Sequence, residues 1–491
     1  MLNRPQIVTG SQKRRGPGFP SQSSNSLPIT SRYSNRLMLK IDYSLTPTKL
    51  LPQLQHLFDL SAKKISSLRK TWHSHSSSPV FTVKGKYTTR GWTEWTQGFQ
   101  FGSGILQFDA TDEKEFLAMG RDATVKTMAT HVSHIGVHDH GFNNVSTYGN
   151  LWRLMREGRI PENRWEQNFY ELALKISGAV QAARWSYLGD GGGFIYSFNG
   201  PHSLFVDTIR TLRMLAIAHQ LGHVLMGEGD QPVSLLQRLV EHARATAQYN
   251  IYYGEGRDAH DTRGRVAHES IFNMRDGSYR CPNSQQGYSP FSTWTRGLAW
   301  AMCGFAEQLE FCDQLREKDL GGKKPFMQLL LNAAQATGDF YLANTPTDGI
   351  PYWDTGAPNL HRLGDYLNQP ANPFNEFEPV DSSAAAIAGQ GLLRLGRFLQ
   401  NKKETTLGNR YYQAGLTLAK TLLASPYLSE KENHQGLLLH SVYHRPRGWD
   451  YVPKSATVPR GESSMWGDYH LRELALLLWR QARGLPYLTF F

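Results

Sequence analysis

Leu204-Phe205-Val206-Asp207-Thr208-Ile209-Arg210-Thr211-Leu212-Arg213-Met214-Leu215-Ala216-Ile217 is a nearly unbroken apolar run with one carboxylate set inside it. Its periodicity predicts a buried helix over 203–226. A carboxylate in that setting loses its hydration, which raises its pKa and lets it hold a proton to donate. From spacing alone the alternative has equal weight: the acid satisfies the core by pairing with Arg210 or Arg213. A second acid out of place is Asp139, in the polar, glycine-containing run His138-Asp139-His140-Gly141-Phe142-Asn143.

Working outward, period-3.6 patterns predict helices at about 112–130, 164–188, 203–226, 233–249, 292–311, 326–344, 380–402, 407–424 and 464–484. The first is expected to open on a capping box, Asp112-x-x-Glu115. Strand-like alternation is scarce. Distinctive short runs recur about once per helical hairpin, at Trp92 to Phe99, His138 to Phe142, Asp207, Trp294 to Trp300, Asp381 to Ile387 and Trp466 to Tyr469. Helix pairs laid around a ring would bring one such run per pair to a common face. The long connections 250–291 and 345–379 exceed what a bundle needs and are read as functional loops.

Composition narrows the function. Seven of the +11 charges lie in residues 1–40, a stretch rich in Ser, Pro, Asn and Arg with no acid, leaving +4 on residues 41–491. Residues 1–40 are read as a disordered leader and 41–491 as one folded domain. No basic helix or aromatic-interleaved basic stripe points to nucleic acid. No run of 18 apolar residues points to a membrane, and without an apolar signal core the expectation is cytoplasmic. Cys281, Cys303 and Cys312 are too few and too irregular for a disulfide framework or a thiolate metal site. Histidines 131, 134, 138 and 140 lack zinc-helix spacing, so no metal is expected.

Seven collinear motifs then carry a resemblance. They are Trp95-Thr96-Gln97-Gly98-Phe99, His138-Asp139-His140-Gly141-Phe142, Gln286-Gly287-Tyr288, Trp294-Thr295-Arg296-Gly297-Leu298-Ala299-Trp300, Pro351-Tyr352-Trp353-Asp354, Asp381-Ser382-Ser383-Ala384-Ala385-Ala386-Ile387 and Trp466-Gly467-Asp468-Tyr469. Over about residues 90–480 the chain resembles the unsaturated glucuronyl hydrolases, glycoside hydrolase family 88.

The resemblance implies an all-α (α/α)6 toroid that removes a 4,5-unsaturated uronic acid from the non-reducing end of lyase-generated oligosaccharides. It implies vinyl-ether hydration with no cofactor, by a monomer or weak homo-oligomer. Asp207 matches the general acid/base, and Asp139 the second aspartate, which grips ring hydroxyls and raises the pKa of Asp207 by its charge. Trp95, Phe99, Trp294 and Trp300 match pocket-lining aromatics, although core filling explains such spacing equally well. Arg296 matches an arginine that contacts substrate. His268 and Gln286 match positions that bond the sugar or the attacking water.

Asp381 is read as a helix cap, and Trp466 to Tyr469 as pocket wall or helix start. Gln285 and Leu298 depart from the family pattern, which has His and Gln there, and leave the aglycone open. The stretch His440 to Arg460 holds Arg445, Arg447, Lys454 and Arg460 against the acid Asp450, and is placed at the pocket mouth to favour anionic oligosaccharides. Two rival readings are an unsaturated rhamnogalacturonyl hydrolase and a catalytically silent carbohydrate-binding protein on the same scaffold.

Overall fold

A computed structural model describes residues 38–72, 77–91 and 94–491. Residues 1–37 of the expected leader, and Trp92 of the first short run, lie outside the described residues. Met38, Leu39 and Lys40 already bond to the body through the Leu342 and Thr347 carbonyls, so the described fold begins slightly before residue 41.

Among the described residues, twelve principal helices alternate between an outer and an inner ring. The outer helices are Leu51–Thr71, Lys114–Thr127, Arg164–Ala183, Leu235–Tyr249, Lys323–Asn344 and Thr405–Leu422. The inner ones are Gln97–Thr111, 140–156, 208–220, Thr295–Asp313, Ser382–Asn401 and Met465–Ala482. Each inner helix packs on the next, and Met465–Ala482 packs back on Gln97–Thr111, which closes the toroid.

Sequence dictates which helix goes where. Leu235–Tyr249 buries one stripe, through Leu235, Leu239, Ala243 and Ala247, and leaves the other face wet. Thr295–Asp313 is buried almost throughout, so only the inner ring can hold it. Glycines set the spacing between inner helices. A Cβ on Gly98 would lie 2.3 Å from the Asn143 carbonyl oxygen, and one on Gly141 2.3 Å from that of Thr211. The next two steps repeat this, with Gly304 against Arg210 and Gly391 against Cys303. Any side chain at these points would push the ring apart.

Three expectations are corrected. The run 203–226 is not one helix: Ser203–Phe205 is a strand paired antiparallel with Glu269–Phe272, helix follows over 208–220, and Val224–Met226 pairs with Pro232–Ser234. An unbroken apolar run fits a buried strand as well as a buried helix. Asp112 caps no N-terminus; it ends Gln97–Thr111 in the left-handed region at φ 60, and the next helix begins after Glu113 without a side-chain cap. The periodicity also missed Leu51–Thr71, Gln97–Thr111 and 140–156, and small two- and three-stranded sheets join the helices. No described helix is long and apolar enough to cross a membrane.

Candidate active site

The inner helices begin at residues 97, 140, 208, 295, 382 and 465, each within or next to one of the short sequence runs. The N-terminal ends of the helices that begin at 97, 140, 208 and 295 line a cavity of about 460 Å³. Helix N-termini carry partial positive charge, so this end of the toroid favours an anionic ligand.

Asp139 and Asp207 meet there although 68 positions separate them in the chain. Each occupies the residue just before an inner helix, and each is buried, at 8% exposure. Asp207 is fixed from the strand side, because Val206 N–H donates to the His268 carbonyl at 2.9 Å. Between the acids stands His138, its Nε2 3.4 Å from Asp207 Oδ2 and 3.6 Å from Asp139 Oδ1. Its ring is held against Phe205 and Phe198. Asp207 Oδ1 has no hydrogen-bond partner among the described residues.

This imidazole changes the proton assignment. Burial raises the Asp207 carboxyl, but the hydrogen bond and charge of His138, with His268 behind, outweigh burial and hold it below the ordinary value. Burial raises Asp139, and the Asp207 charge adds to it against His138, so Asp139 is the carboxyl pushed up. Burial opposes charge on His138, yet the two aspartates lift it above its usual value. The expectation of a raised Asp207 beside an ionised Asp139 is therefore reversed in the free protein. The apolar run ignored the histidine that compensates it. Replacing His138 with Asn is expected to move the limb of the kcat/KM pH profile governed by Asp207 to higher pH, as a pH series on the variant would read.

The other expected residues divide. Trp95, Gln286, Trp294, Arg296 and Trp300 line the cavity with the two aspartates. Phe99 does not; it is fully buried behind Trp95, 5.6 Å ring to ring, among Phe142, Tyr469 and His470. His268 also lies outside the wall, its ring packed on Phe205 and Trp294. Its Nδ1 accepts the backbone N–H groups of Gln285 and Gln286 at 3.0 and 3.2 Å, so it shapes the loop that carries Gln286. Burial lowers its pKa to about 4, which keeps it neutral.

Arg296, matched by the resemblance to a substrate-contacting arginine, is already engaged within the protein. It is tied to Asp381 Oδ2 at 3.2 Å, to Gln286 Oε1 at 2.7 Å and to the Tyr443 and Val442 carbonyls, and its guanidinium lies between the Trp294 and Trp466 rings. Asp381 caps its helix as expected, accepting from Ser383 N–H at 3.1 Å, and also anchors Arg296. Trp466 is buried and stacks behind Trp95 at 5.1 Å, while Ser464 caps its helix.

Sequence reasoning missed several wall residues. Tyr443, His444 and Trp449 are such residues; they come from the cationic stretch placed at the mouth, whose Arg447 does line the cavity while its Arg460 is spent on Glu376 at 2.7 Å. Glu94 gave no signal beyond sitting next to Trp95. Burial and the charge of Asp139 push its carboxyl up to about 7. Ionised Glu94 would repel an anionic ligand, so KM is expected to rise above pH 7 and that rise to vanish in Glu94→Gln.

The histidine run does not gather. His131 Nε2 faces Gln97 Oε1 at 2.7 Å, while His140 bonds Ser177 Oγ and the His134 carbonyl. Only His138 joins acids among the described residues; with one oxygen each from Asp139 and Asp207 it forms a set within 4.8 Å whose composition could also hold a cation.

A closed double ring of helices with a buried acid pair under tryptophans at one end makes a concave, largely aromatic site for a small ligand. No family model matches the chain. It is 25% identical over 419 residues to the unsaturated glucuronyl hydrolase of Bacillus sp. strain GL1, spanning 82% of this chain and 90% of that one. It is 25% identical over 433 residues to the unsaturated chondroitin disaccharide hydrolase of Streptococcus pyogenes, spanning 86% and 90%. The solved unsaturated glucuronyl hydrolase of Streptococcus agalactiae shares the fold at TM-score 0.67 and 19% identity, over 92% of this chain and 99% of that one. Over most of its length the chain is thus similar to curated unsaturated glucuronyl hydrolases and unsaturated chondroitin disaccharide hydrolases.

Proposed function

We propose that this protein removes a 4,5-unsaturated uronic acid from the non-reducing end of lyase-generated oligosaccharides by hydrating the vinyl ether. The observation that carries the reading is the Asp139–His138–Asp207 constellation at the floor of an aromatic-walled cavity ringed by helix N-termini. The substrate's ring carboxylate adds negative charge beside the acids, which raises both carboxyl pKa values and draws the cluster proton onto a carboxyl. Protonated Asp207 then gives that proton to C4. Water adds at C5, losing a proton to the same carboxylate, and the hemiketal opens to release the remaining sugar. One carboxyl thus acts as acid and then base, and the carboxylate-separation rule for ordinary glycosidases does not apply.

Trp95, Trp294 and Trp300 offer flat apolar faces to the sugar, and Gln286 a polar contact. Arg296, held by Asp381, supplies a fixed positive field more than a movable fork. A panel of unsaturated disaccharides from chondroitin, heparin, hyaluronan, gellan and rhamnogalacturonan lyases tests the proposal through loss of the near-ultraviolet absorbance of the double bond. No loss with any of them rejects it. Loss with the rhamnogalacturonan product alone would favour that rival, against which the Arg296-Gly297-Leu298-Ala299-Trp300 sequence argues.

Arg447 is the cation of the 440–460 stretch that reaches the cavity, stacked 5.2 Å over Trp449. Arg447→Ala is expected to raise KM several-fold for a sulfated disaccharide and little for its unsulfated counterpart, with the difference shrinking at high salt. Equal effects on both substrates would remove Arg447 from selectivity.

A further inference from the structure

We propose that a second cavity, of about 440 Å³ between the helices Leu51–Thr71, Gln97–Thr111, Lys114–Thr127 and Met465–Ala482, binds a small carboxylate with an apolar body. It shares no lining residue with the active-site cavity. Its volume falls within the range of small-molecule sites.

The anchor is Arg472, 2% exposed and on the cavity wall. Its Nε donates to Ser61 Oγ at 2.8 Å and its Nη1 to Ser103 Oγ at 3.3 Å, while Nη2 has no hydrogen-bond partner among the described residues. The acid one turn earlier, Asp468, stands 3.9 Å away and is already engaged. Its carboxylate accepts the Leu437 and Leu438 N–H groups and the Tyr87 hydroxyl. A buried guanidinium served by two hydroxyls, whose one carboxylate stands 3.9 Å off and is shared with three other donors, keeps its Nη2 open to a second anion. Burial accordingly holds its pKa below the ordinary value.

The other charges do not fill that need. Lys64 is used on Ser429 Oγ and on the Lys431 and His434 carbonyls, and Asp122 at the mouth lies beside Arg121. Lys126 carries no ion pair among the described residues and adds positive charge to the lining. Arg69 on the wall is paired with Glu115 at 3.6 Å, and beside the polar Gln100 and Gln435 the wall offers apolar faces from Leu68, Trp72, Phe101 and Met119. An anion alone would leave those faces unused, and a neutral apolar molecule would leave Arg472 unmatched.

Calorimetric titration of the full chain with 4-phenylbutyrate and with 4-phenylbutanol tests this. The carboxylate is expected to bind once per chain and at least tenfold more tightly than the alcohol. Ala123→Phe, which fills the cavity from its lining, and Arg472→Gln should each weaken carboxylate binding at least tenfold. Ala123→Phe should leave turnover of unsaturated disaccharides unchanged. Should Arg472→Gln fail to fold, Lys126→Glu replaces it, with an expected loss of several-fold. Binding must also persist in Asp207→Asn protein saturated with disaccharide, which separates this cavity from the active site. Absence of carboxylate binding, equal affinity for acid and alcohol, indifference to Ala123→Phe, or displacement by the disaccharide each overturns the proposal.

Discussion

Asp207→Asn is expected to lower kcat by about three to four orders of magnitude while substrate binding stays within a few-fold of the parent, the range for removing a general acid/base that serves two steps. Asparagine keeps the shape of the side chain but can neither donate a proton to carbon nor take one from water. Binding should survive because Trp95, Trp294, Trp300 and Gln286 remain in place on the cavity wall. Single-turnover absorbance decay gives the rate, and calorimetry with the same unsaturated disaccharide gives the affinity. Loss of affinity in proportion to kcat would make Asp207 a structural residue. The pair Asp139 and His138 should separate by pH. Asp139→Asn removes a charge that raises His138, so the limb governed by His138 should move to lower pH, whereas His138→Asn removes the group that lowers Asp207, so the limb governed by Asp207 should move to higher pH.

Physical reasons explain which parts of this arrangement were legible in the sequence. Nine of the helices were read from periodicity because each buries a stripe or a full cylinder. Gln97–Thr111 and 140–156 escaped because the inner ring needs glycine at its crossings, and Gly98 and Gly141 look like breakers until the neighbouring backbone is seen 2.3 Å from a would-be Cβ. The toroid came from motif spacing and family resemblance together, and the motifs proved to mark where inner helices start. At the site, the two aspartates stood out as acids in the wrong place, yet their pKa order did not. That order depends on His138, which is adjacent to Asp139 in sequence but reaches Asp207 only through the fold. Arg296 illustrates the same limit, since its partners Asp381, Val442 and Tyr443 lie 85 to 147 positions away.

Three residues beyond Asp207 the same helix turns a charge inward, and Arg210→Met is expected to destabilise the fold by about 3–5 kcal/mol, the usual cost of stripping one partner from a buried ion network. Arg210 is fully buried and donates to both oxygens of Glu307, at 3.0 and 3.1 Å, and to Glu473 at 2.8 Å. Those acids belong to the inner helices Thr295–Asp313 and Met465–Ala482, so one guanidinium ties three members of the ring below the active site. Arg213 also reaches Glu473, at 3.5 Å, but methionine at 210 leaves Glu307 with only the distant Arg213 and Arg394, at 3.8 and 3.9 Å. Arg210→Met/Glu307→Met should recover part of the loss, because removing both charges leaves less uncompensated than removing one, and a double-mutant cycle by denaturant unfolding would read that coupling. The pH dependence has a defined sign. Burial alone would raise Glu473, but Arg210 and Arg213 outweigh it and hold the carboxyl far below its ordinary value. A depressed folded pKa contributes stability that is present above the unfolded value, about 4.3, and is lost as pH falls below it. In Arg210→Met the Glu473 pKa rises, so the variant should lose less stability than the parent as pH falls below about 4. Matching acid slopes in the two proteins would show that Arg213 alone sustains the Glu473 charge.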